Sequence, residues 1–331
     1  MKIRPSLLLA VILPGSVVCL PSFSQAAVIT GVTVTESAPA HSAPYPAEKA
    51  VDGDAPDYAS ANLGADTFLK FAFPAVQAVN RIVVINRDSG ATQDWIGNFT
   101  LTFDGGLTVS HTRTAIRGGS AIIPLGATYN TASVRLDVDT TGNVAAGGNT
   151  GVMEVLFLSP MTGKNAISGV TVTGSATPFS ADFAAANAVD GIVGRSAGAG
   201  SKLEYASAGL GLGAFVDFDL GAIQPVAGFD FFDRPAAADR VSAFDLIFSL
   251  NAIFGDGDDV VRSFTHAGMA SSAEFAAINA RYVRYDVTAK SGAGVNTGLS
   301  EMIFHTPVPE PSAVIAGLAA LTGLALRRRR D

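Results

Sequence analysis

An internal repeat constrains this chain most, because a sequence that occurs twice indicates two copies of one structural unit. Residues Ala50–Gly53 are Ala-Val-Asp-Gly, and the same four residues return at 188–191. At the same spacing before each tetrapeptide lies an alternating, β-branched segment, Val28–Thr35 in one case and Ala166–Thr173 in the other. Alternation of this kind predicts an edge or outer strand at the start of each copy.

Both copies continue with short alternating segments separated by turn residues. Phe68–Phe73 in the first copy matches Phe215–Leu220 in the second. Outside the two chain ends we find no convincing stretch with helical periodicity. Many short strands with regular turns are typical of β-sandwiches and barrels. We therefore expect an all-β protein with one domain at residues 28–160 (copy 1) and another at residues 165–306 (copy 2).

The N-terminus has the pattern of a secretory signal peptide. Lys2 and Arg4 precede an interrupted apolar run, and small residues stand at positions 24 and 26, where signal peptidase selects them. We therefore expect residues 1–26 to be removed during export. Cys19, the single cysteine, lies in this segment, so the exported body has no disulfide and depends on packing or bound metal for its stability.

The C-terminus combines a Pro-Glu-Pro motif, an apolar run and a basic cluster, in that order. They comprise Pro309, Glu310 and Pro311, then Ala313–Leu326, then Arg327, Arg328, Arg329 and Arg330. This order resembles the PEP-CTERM sorting signal, which an exosortase handles in Gram-negative bacteria that build exopolysaccharide. The resemblance implies that residues 308–331 anchor the protein transiently in the inner membrane through a transmembrane helix, with the arginines in the cytoplasm.

Removing both terminal segments makes the body strongly acidic. The chain has 22 basic and 29 acidic residues; without the terminal segments 16 and 27 remain, a net charge of −11. An acidic surface without a basic cluster argues against nucleic acid and anionic lipid as partners. Excess carboxylate is compatible with divalent cations.

Copy 2 contains a series of shorter motifs: Ala188–Gly191, Tyr205–Ser207, Asp219–Gly221, Arg281–Arg284 and Gly298–Phe304. Their order resembles the discoidin, or coagulation factor 5/8 type C, superfamily, which includes family 32-like carbohydrate-binding modules. Copy 1 matches more loosely, since Leu-Gly is missing after Phe73. The resemblance implies two tandem galactose-binding-like jelly rolls.

In many carbohydrate-binding relatives a structural calcium ion is held by the Asp of the Asp-Gly loop and by a Glu of the last strand. The resemblance places those ligands at Asp52 and Glu154 in copy 1 and at Asp190 and Glu301 in copy 2. Calcium takes six to eight oxygen ligands, and glycine allows a tight loop to turn its carbonyls inward. The alternative is that Asp52 and Asp190 only stabilise a turn.

A sugar site would need exposed aromatic and polar side chains on the loops at one end of the sandwich. The only tryptophan, Trp95, lies in such a loop, and Arg240 occupies the matching position in copy 2. We therefore take Trp95 and Arg240 as candidate ligand-binding residues. The alternative for Trp95 is packing over an edge of the core.

Motifs for catalysis are missing from the sequence. It has no Gly-x-Ser-x-Gly elbow and no His-x-x-x-His pair, and its four histidines do not recur between the copies. A pair of carboxylates assembled from distant strands stays open. We expect a secreted, exosortase-sorted, non-catalytic protein of the extracellular polysaccharide or biofilm layer that binds glycan. The alternatives are a structural or adhesive matrix protein, which binds other proteins or itself, and a polysaccharide-processing enzyme.

Overall fold

A computed structural model describes residues 28–54, 56–142, 148–161, 163–196 and 202–308. The expected signal peptide (1–26) and the Pro-Glu-Pro, apolar and arginine parts of the sorting signal (309–331) lie outside these ranges. Within them, no helix is long and apolar enough to cross a membrane.

Copy 1 is built from antiparallel β-strands. They are β1 (Thr33–Ser37), β2 (Tyr58–Ala59), β3 (Phe68–Asn86), β4 (Phe99–Phe103), β5 (Thr108–His111), β6 (Gly119–Ala121), β7 (Ile123–Val138) and β8 (Gly151–Leu158). Among the described residues, seven of them form one sheet in the order β2-β8-β3-β7-β4-β5, with β1 paired to β3. Short 3-10 helices lie at Ala47–Ala50, Gly64–Asp66 and Thr92–Asp94.

Copy 2 repeats this arrangement. Its strands are β9 (Lys164–Ala166), β10 (Thr171–Ser175), β11 (Ile192–Gly194), β12 (Tyr205–Ala206), β13 (Phe215–Phe232), β14 (Val241–Ser249), β15 (Val260–Thr265), β16 (Ala270–Lys290), β17 (Gly298–Leu299) and β18 (Glu301–Pro307). The main sheet has the order β15-β14-β16-β13-β18-β9, with β10 paired to β13. Short 3-10 helices lie at Ala181–Phe183, Ala185–Val189, Gly211–Gly213 and Ala237–Asp239. The expected all-β fold is confirmed.

Each sheet folds back on itself because a long strand bends, β3 in copy 1 and β13 in copy 2. In β3 the alternation of buried and exposed residues stops near Val76, which is 67% exposed. The first half of β3 then faces the strand that pairs with its second half, since the rings of Phe71 and Phe73 each lie 5.1 Å from the ring of Phe157. In copy 2, Phe218 and Phe304 make the equivalent contact at 5.3 Å. The result is a sandwich with the core between its layers.

The strongest core signal shared by the copies is a buried tyrosine on the short strand before the bent one. Tyr58 donates its hydroxyl proton to Ala38 O (2.9 Å), and Tyr205 donates to Ala176 O (3.0 Å). Both tyrosines are fully buried. Their recurrence therefore reflects core packing, because a buried phenol needs a hydrogen-bond acceptor.

The two copies also pack against each other. Strand β6 of copy 1 pairs with β11 of copy 2, with Ser120 opposite Val193. Beside this ribbon lies an apolar cluster drawn from both copies. Its buried members are Val83, Ile85, Met153, Leu156 and Leu158 of copy 1 and Val193, Phe232, Met269 and Ala270 of copy 2. This contact explains why β8 is buried along its whole length: one face meets its own core and the other meets copy 2.

Candidate functional site

In each copy, several connections between strands gather at one end of the sandwich, which we call the loop end. In copy 1 the backbone N–H of Ser60 donates to Thr150 O (2.9 Å), and in copy 2 that of Ser207 donates to Thr297 O (2.9 Å). These equivalent bonds hold two loops of each copy together. The loop ends comprise the described residues of 38–67, 87–98 and 139–150 in copy 1 and of 176–214, 233–240 and 291–297 in copy 2.

A largely buried arginine organises the loop end of copy 1. Arg87 follows β3, and its Nη1 donates to Asn149 O (2.6 Å) and to Asp94 Oδ2 (3.3 Å). Its Nε lies 3.5 Å from Asp57 Oδ2, and its guanidinium lies 5.5 Å from the ring centroid of Tyr45. Burial raises the pKa of Asp57, and the charge of Arg87 opposes that shift. Arg87 therefore connects the separate loops that carry Asp57, Asp94 and Asn149.

Arg234 has the same role in copy 2. Its Nε donates to Glu204 Oε2 (3.0 Å), and its Nη1 donates to Asp239 Oδ2 (2.9 Å) and to Asn296 O. Its guanidinium lies 5.7 Å from the ring centroid of Phe183. Burial raises the pKa of the fully buried Glu204, while Arg234 favours its charged form. Arg234 therefore has a carboxylate partner on each side, Glu204 and Asp239. Such partners are what a buried charge requires.

The sequence analysis did not identify these arginines, although the repeat contains the signal. Arg87 directly follows the bent strand of copy 1, and Arg234 lies two residues after the end of the bent strand of copy 2. The carbonyl partner of each arginine belongs to a repeated Asn-Thr-Gly tripeptide that begins at Asn149 or Asn296. A residue-by-residue comparison of the two copies would have found both.

Above each arginine lies a pair of aromatic rings. In copy 1 the centroids of His41 and Tyr45 are 6.1 Å apart, and in copy 2 those of Phe179 and Phe183 are 5.5 Å apart. His41 is exposed and Phe179 is 56% exposed, whereas Tyr45 and Phe183 are half-buried. Each loop end thus presents an exposed ring, His41 or Phe179, that contacts a second, half-buried ring next to the arginine.

Trp95 also lies at the loop end of copy 1. Its Nε1–H donates to Ser89 O (2.9 Å), and its side chain is half-buried. The ring passes close to the backbone at Gly142, where a Cβ would lie 3.4 Å from the indole. The indole is therefore fixed in place while part of its surface stays open to solvent.

Arg240 occupies a different environment from Trp95. Its guanidinium donates to Gly53 O of copy 1, to Arg234 O (3.3 Å) and to Pro235 O (3.2 Å). It also lies 3.0 Å from Met269 Sδ. These contacts engage the Nε and Nη2 donors of Arg240 within the protein, at the boundary between the copies.

The predicted metal ligands of copy 2 lie together. Glu301 Oε2 accepts a hydrogen bond from the backbone N–H of Gly191 (3.1 Å), and Asp190 Oδ1 accepts one from Ile192 N–H (2.9 Å). Burial raises the pKa of Glu301 to about 9, and the nearby charge of Asp190 adds to that shift while the backbone N–H of Gly191 opposes it. In the described part of the chain, no basic side chain forms an ion pair with either carboxylate.

The predicted ligands of copy 1 lie together as well, but basic groups accompany them. Gly53 N–H donates to Glu154 Oε2 (2.7 Å), and Lys49 Nζ lies 2.7 Å from Asp52 Oδ2. Burial raises the pKa of Glu154 well above its usual range, while the charge of Arg240 opposes that shift. Glu154 also lines a cavity of about 40 Å³ between the copies.

The two carboxylate pairs therefore differ in how well they suit a calcium ion. Each pair offers carboxylate oxygens, which are hard donors of the kind that Ca²⁺ prefers. The pair at Asp190 and Glu301 is short of positive charge, which is the condition that a bound cation would relieve. The pair at Asp52 and Glu154 already has Lys49 and Arg240 beside it. The residues present thus fit calcium better in copy 2 than in copy 1.

A third group of carboxylates lies on the turn between β14 and β15. Carboxylate oxygens of Asp256, Asp258 and Asp259 come within 4.8 Å of one another. Asn251 Nδ2 donates to Asp256 (2.9 Å), and Gly255 N–H donates to Asp259 (2.5 Å). These bonds make the group an ordinary acidic turn.

Comparison with solved structures gives three examples of similar chains. The chitosan-binding module 2 of a Paenibacillus sp. IK-5 chitosanase/glucanase, in complex with chitotriose, has 22% identity and a TM-score of 0.33, covering 40% of this chain and 93% of its own. The CBM32-1 and CBM32-2 domains of Clostridium perfringens ZmpB have 10% identity and a TM-score of 0.32, covering 85% and 93%. A fucolectin from striped bass (Morone saxatilis) serum has 14% identity and a TM-score of 0.32, covering 84% and 96%.

Comparison of sequences identifies a family. No curated protein matches the chain. One family model, described as a domain of unknown function (DUF7402), matches twice, at residues 27–157 and 165–305. The two matches cover most of the chain and follow its internal repeat. The chain therefore belongs to the DUF7402 family and contains its domain in two tandem copies.

Proposed function

We propose that this protein is a non-catalytic glycan-binding protein whose binding sites are the loop ends of its two copies. The observation that supports this most is the aromatic pair at equivalent positions in both loop ends: His41 and Tyr45 in copy 1, Phe179 and Phe183 in copy 2. Rings that are rigidly held and partly exposed offer flat apolar faces for the apolar faces of sugar rings.

In copy 1, Trp95 adds a second stacking surface. Its indole is half-buried and is fixed by its bond to Ser89 O, so it loses little side-chain entropy when a ligand binds. Polar groups of the same loops, held by Arg87, supply the hydrogen bonds that orient a sugar.

Calcium is the proposed structural cofactor, with Asp190 and Glu301 as its ligands in copy 2. Calcium would supply positive charge between the buried Glu301 and the exposed Asp190, so it would fix the Asp-Gly loop against the last strand. Asp52 and Glu154 form the corresponding, weaker candidate in copy 1, where Lys49 already pairs with Asp52.

We also propose export and sorting from the two chain ends. Signal peptidase removes residues 1–26, and an exosortase acts on the segment at 308–331. Two jelly-roll domains, 28–160 and 165–306, then work at the surface of a Gram-negative cell or in its extracellular polysaccharide. The support is the order of motifs in the sequence.

A second candidate, an adhesive matrix protein that binds other proteins or itself, has one observation in its favour. The loop end of copy 2 exposes several apolar side chains: Phe179 (56%), Leu210 (44%), Leu212 (54%) and Val295 (48%). Exposed apolar side chains gathered in one region are typical of protein contact surfaces. The second candidate predicts self-association that Phe179→Asp abolishes.

A glycan array separates the two candidates. We expect the wild-type protein to bind a defined set of glycans, and Trp95→Ala to lose part of that signal without unfolding. Trp95→Phe is the control, because it keeps an aromatic face but loses the bond to Ser89. An array without bound glycan, combined with concentration-dependent self-association in ultracentrifugation, would replace glycan binding by the adhesive function.

A further inference from the structure

The two loop ends point in the same direction. The guanidinium of Arg240, in the loop end of copy 2, donates to Gly53 O in the loop end of copy 1. The backbone N–H of Arg195 in copy 2 donates to Gly118 O in copy 1 (2.8 Å), and Gly118 is itself bonded to Arg87. The loop end of copy 1 therefore contacts the loop end of copy 2.

The opposite ends of the sandwiches also lie side by side. Strand β8 runs away from its loop end and finishes at Leu158, from which a short connection leads to β9. Strand β9 pairs with the last residues of β18, where Asn165 lies opposite Thr306, at the far end of copy 2. The loop end of copy 1 thus lies beside the loop end of copy 2, and the far end of copy 1 lies beside the far end of copy 2. The long axes of the two sandwiches are therefore parallel and point the same way.

The boundary between the copies has the character of a protein core. Its apolar cluster is buried, and the β6–β11 ribbon adds main-chain hydrogen bonds across it. Arg81 of copy 1 forms an ion pair at 2.6 Å with the fully buried Asp230 of copy 2. Boundaries that let domains move are usually more polar and wet. These contacts therefore fix the relative orientation of the copies.

We propose that the two loop ends form one rigid, two-site face that engages neighbouring chains of a dense glycan surface at two points. That the partner is a glycan rests on the proposed function, whereas the relative orientation of the two loop ends rests on the contacts between the copies. With the sites fixed on one side, the second contact becomes intramolecular once the first has formed. Linking two sites in this way strengthens binding by about 10²–10⁴-fold over either site alone.

The geometry is tested without any ligand. Spin labels at Ala43→Cys and Ala181→Cys lie on the two loop ends, and labels at Ala43→Cys and Ala222→Cys span a loop end and the opposite end, all in a Cys19→Ser background. All three labelled positions are exposed. Double electron–electron resonance should give one narrow distance for each pair, with the first pair closer. A broad distribution, or the reverse order of distances, would overturn the proposal.

A matched pair of variants tests the boundary. Val193→Asp places a charge in the buried apolar cluster, whereas Val76→Asp places one on an exposed bend. We expect Val193→Asp to broaden the distance between the loop ends and Val76→Asp to leave it unchanged, with circular dichroism showing intact sandwiches in both. An unchanged distribution in folded Val193→Asp would show that this boundary does not set the orientation.

Binding at two points is tested on the glycan that gives the strongest array signal, printed at high and low density. Wild-type protein should bind the dense surface at least about tenfold more tightly than the sparse one, and Phe179→Ala should remove most of that difference. Binding that is equal at both densities would overturn the two-point proposal while leaving glycan binding intact. Absence of any array signal would instead overturn the proposed function.

Discussion

Glu204 shows how much depends on a single arginine at the loop end. Its carboxylate is fully buried, and Arg234 is the basic side chain that pairs with it. A buried charge that loses its partner costs far more than the pair contributes when intact. Arg234 therefore stabilises the loops rather than binding a ligand. Its loss is expected to lower the free energy of unfolding.

Arg234→Ala is expected to destabilise the protein by roughly 3–5 kcal/mol, because it leaves the buried Glu204 without its ion-pair partner. Arg284→Ala is the matched control, since the Arg284–Asp217 pair lies on the outer face with the arginine side chain 29% exposed. That control should cost no more than about 1 kcal/mol. Urea unfolding measures both, and similar costs would show that burial of the Arg234 pair is unimportant.

Glu301 and Glu154 make calcium testable copy by copy. If calcium binds between Asp190 and Glu301, then added Ca²⁺ should raise the melting temperature of the wild type and EDTA should lower it. Glu301→Gln should abolish this response, while Glu154→Gln should retain most of it. A melting curve that is the same in Ca²⁺ and in EDTA would contradict a structural calcium in either copy.

At the scale of strands, short alternating segments were predictable and long bent strands were not. Phe68–Phe73 and Arg81–Ile85 both have strand character in the sequence, but the structure joins them in β3 across the bend at Val76. The proline and small residues of that bend resemble a loop in sequence. The structure shows one continuous strand, and the edge-on contacts of Phe71 and Phe73 with Phe157 show that its two halves lie in facing layers.

The contact between the copies also could not be predicted from the sequence. The run Val152–Leu158 is almost wholly apolar, which indicates a strand covered on both faces but does not name what covers it. The pairing of Asp with Glu in each copy was anticipated through family resemblance, whereas the charges beside each pair depend on tertiary contacts. Arg240 illustrates this, since its contact with Gly53 crosses the boundary.

The first residue of β17, Gly298, has no room for a side chain, and one substitution tests this. Gly298 lies against the backbone of Tyr205, and a Cβ there would collide with the Tyr205 carbonyl oxygen. Gly298→Ala should therefore destabilise copy 2 by about 1–3 kcal/mol. Gly213→Ala is the control, because its nearest neighbour would lie 3.9 Å away. Equal melting temperatures for the two variants would contradict this close approach.

At the scale of the whole molecule, Asp230 links the two copies electrostatically. It contacts Arg81 of copy 1 at 2.6 Å and, within copy 2, His305 Nε2 at 2.9 Å and Ser272 Oγ at 2.5 Å. Burial alone would raise the pKa of Asp230, but the hydrogen bond with His305 and the charge of Arg81 outweigh it. They hold the pKa of Asp230 well below its usual range. Its charged form therefore stabilises the folded protein.

A lowered pKa fixes the sign of the pH dependence. The contribution of Asp230 is complete above its unfolded pKa of about 4 and is lost as the pH falls toward the lower folded value. Asp230→Asn should therefore be less stable than the wild type at pH 6, and the difference should shrink below about pH 4. Urea unfolding at several pH values measures it, and a difference that is independent of pH would contradict the role of the charge.

The central claim is that both loop ends bind glycan, and binding stoichiometry tests it most directly. Isothermal titration calorimetry with the oligosaccharide selected on the array should give two sites per wild-type chain. It should give one site for Trp95→Ala or Phe179→Ala and none for the double variant, with all proteins folded. An unchanged stoichiometry in the folded double variant would contradict the claim.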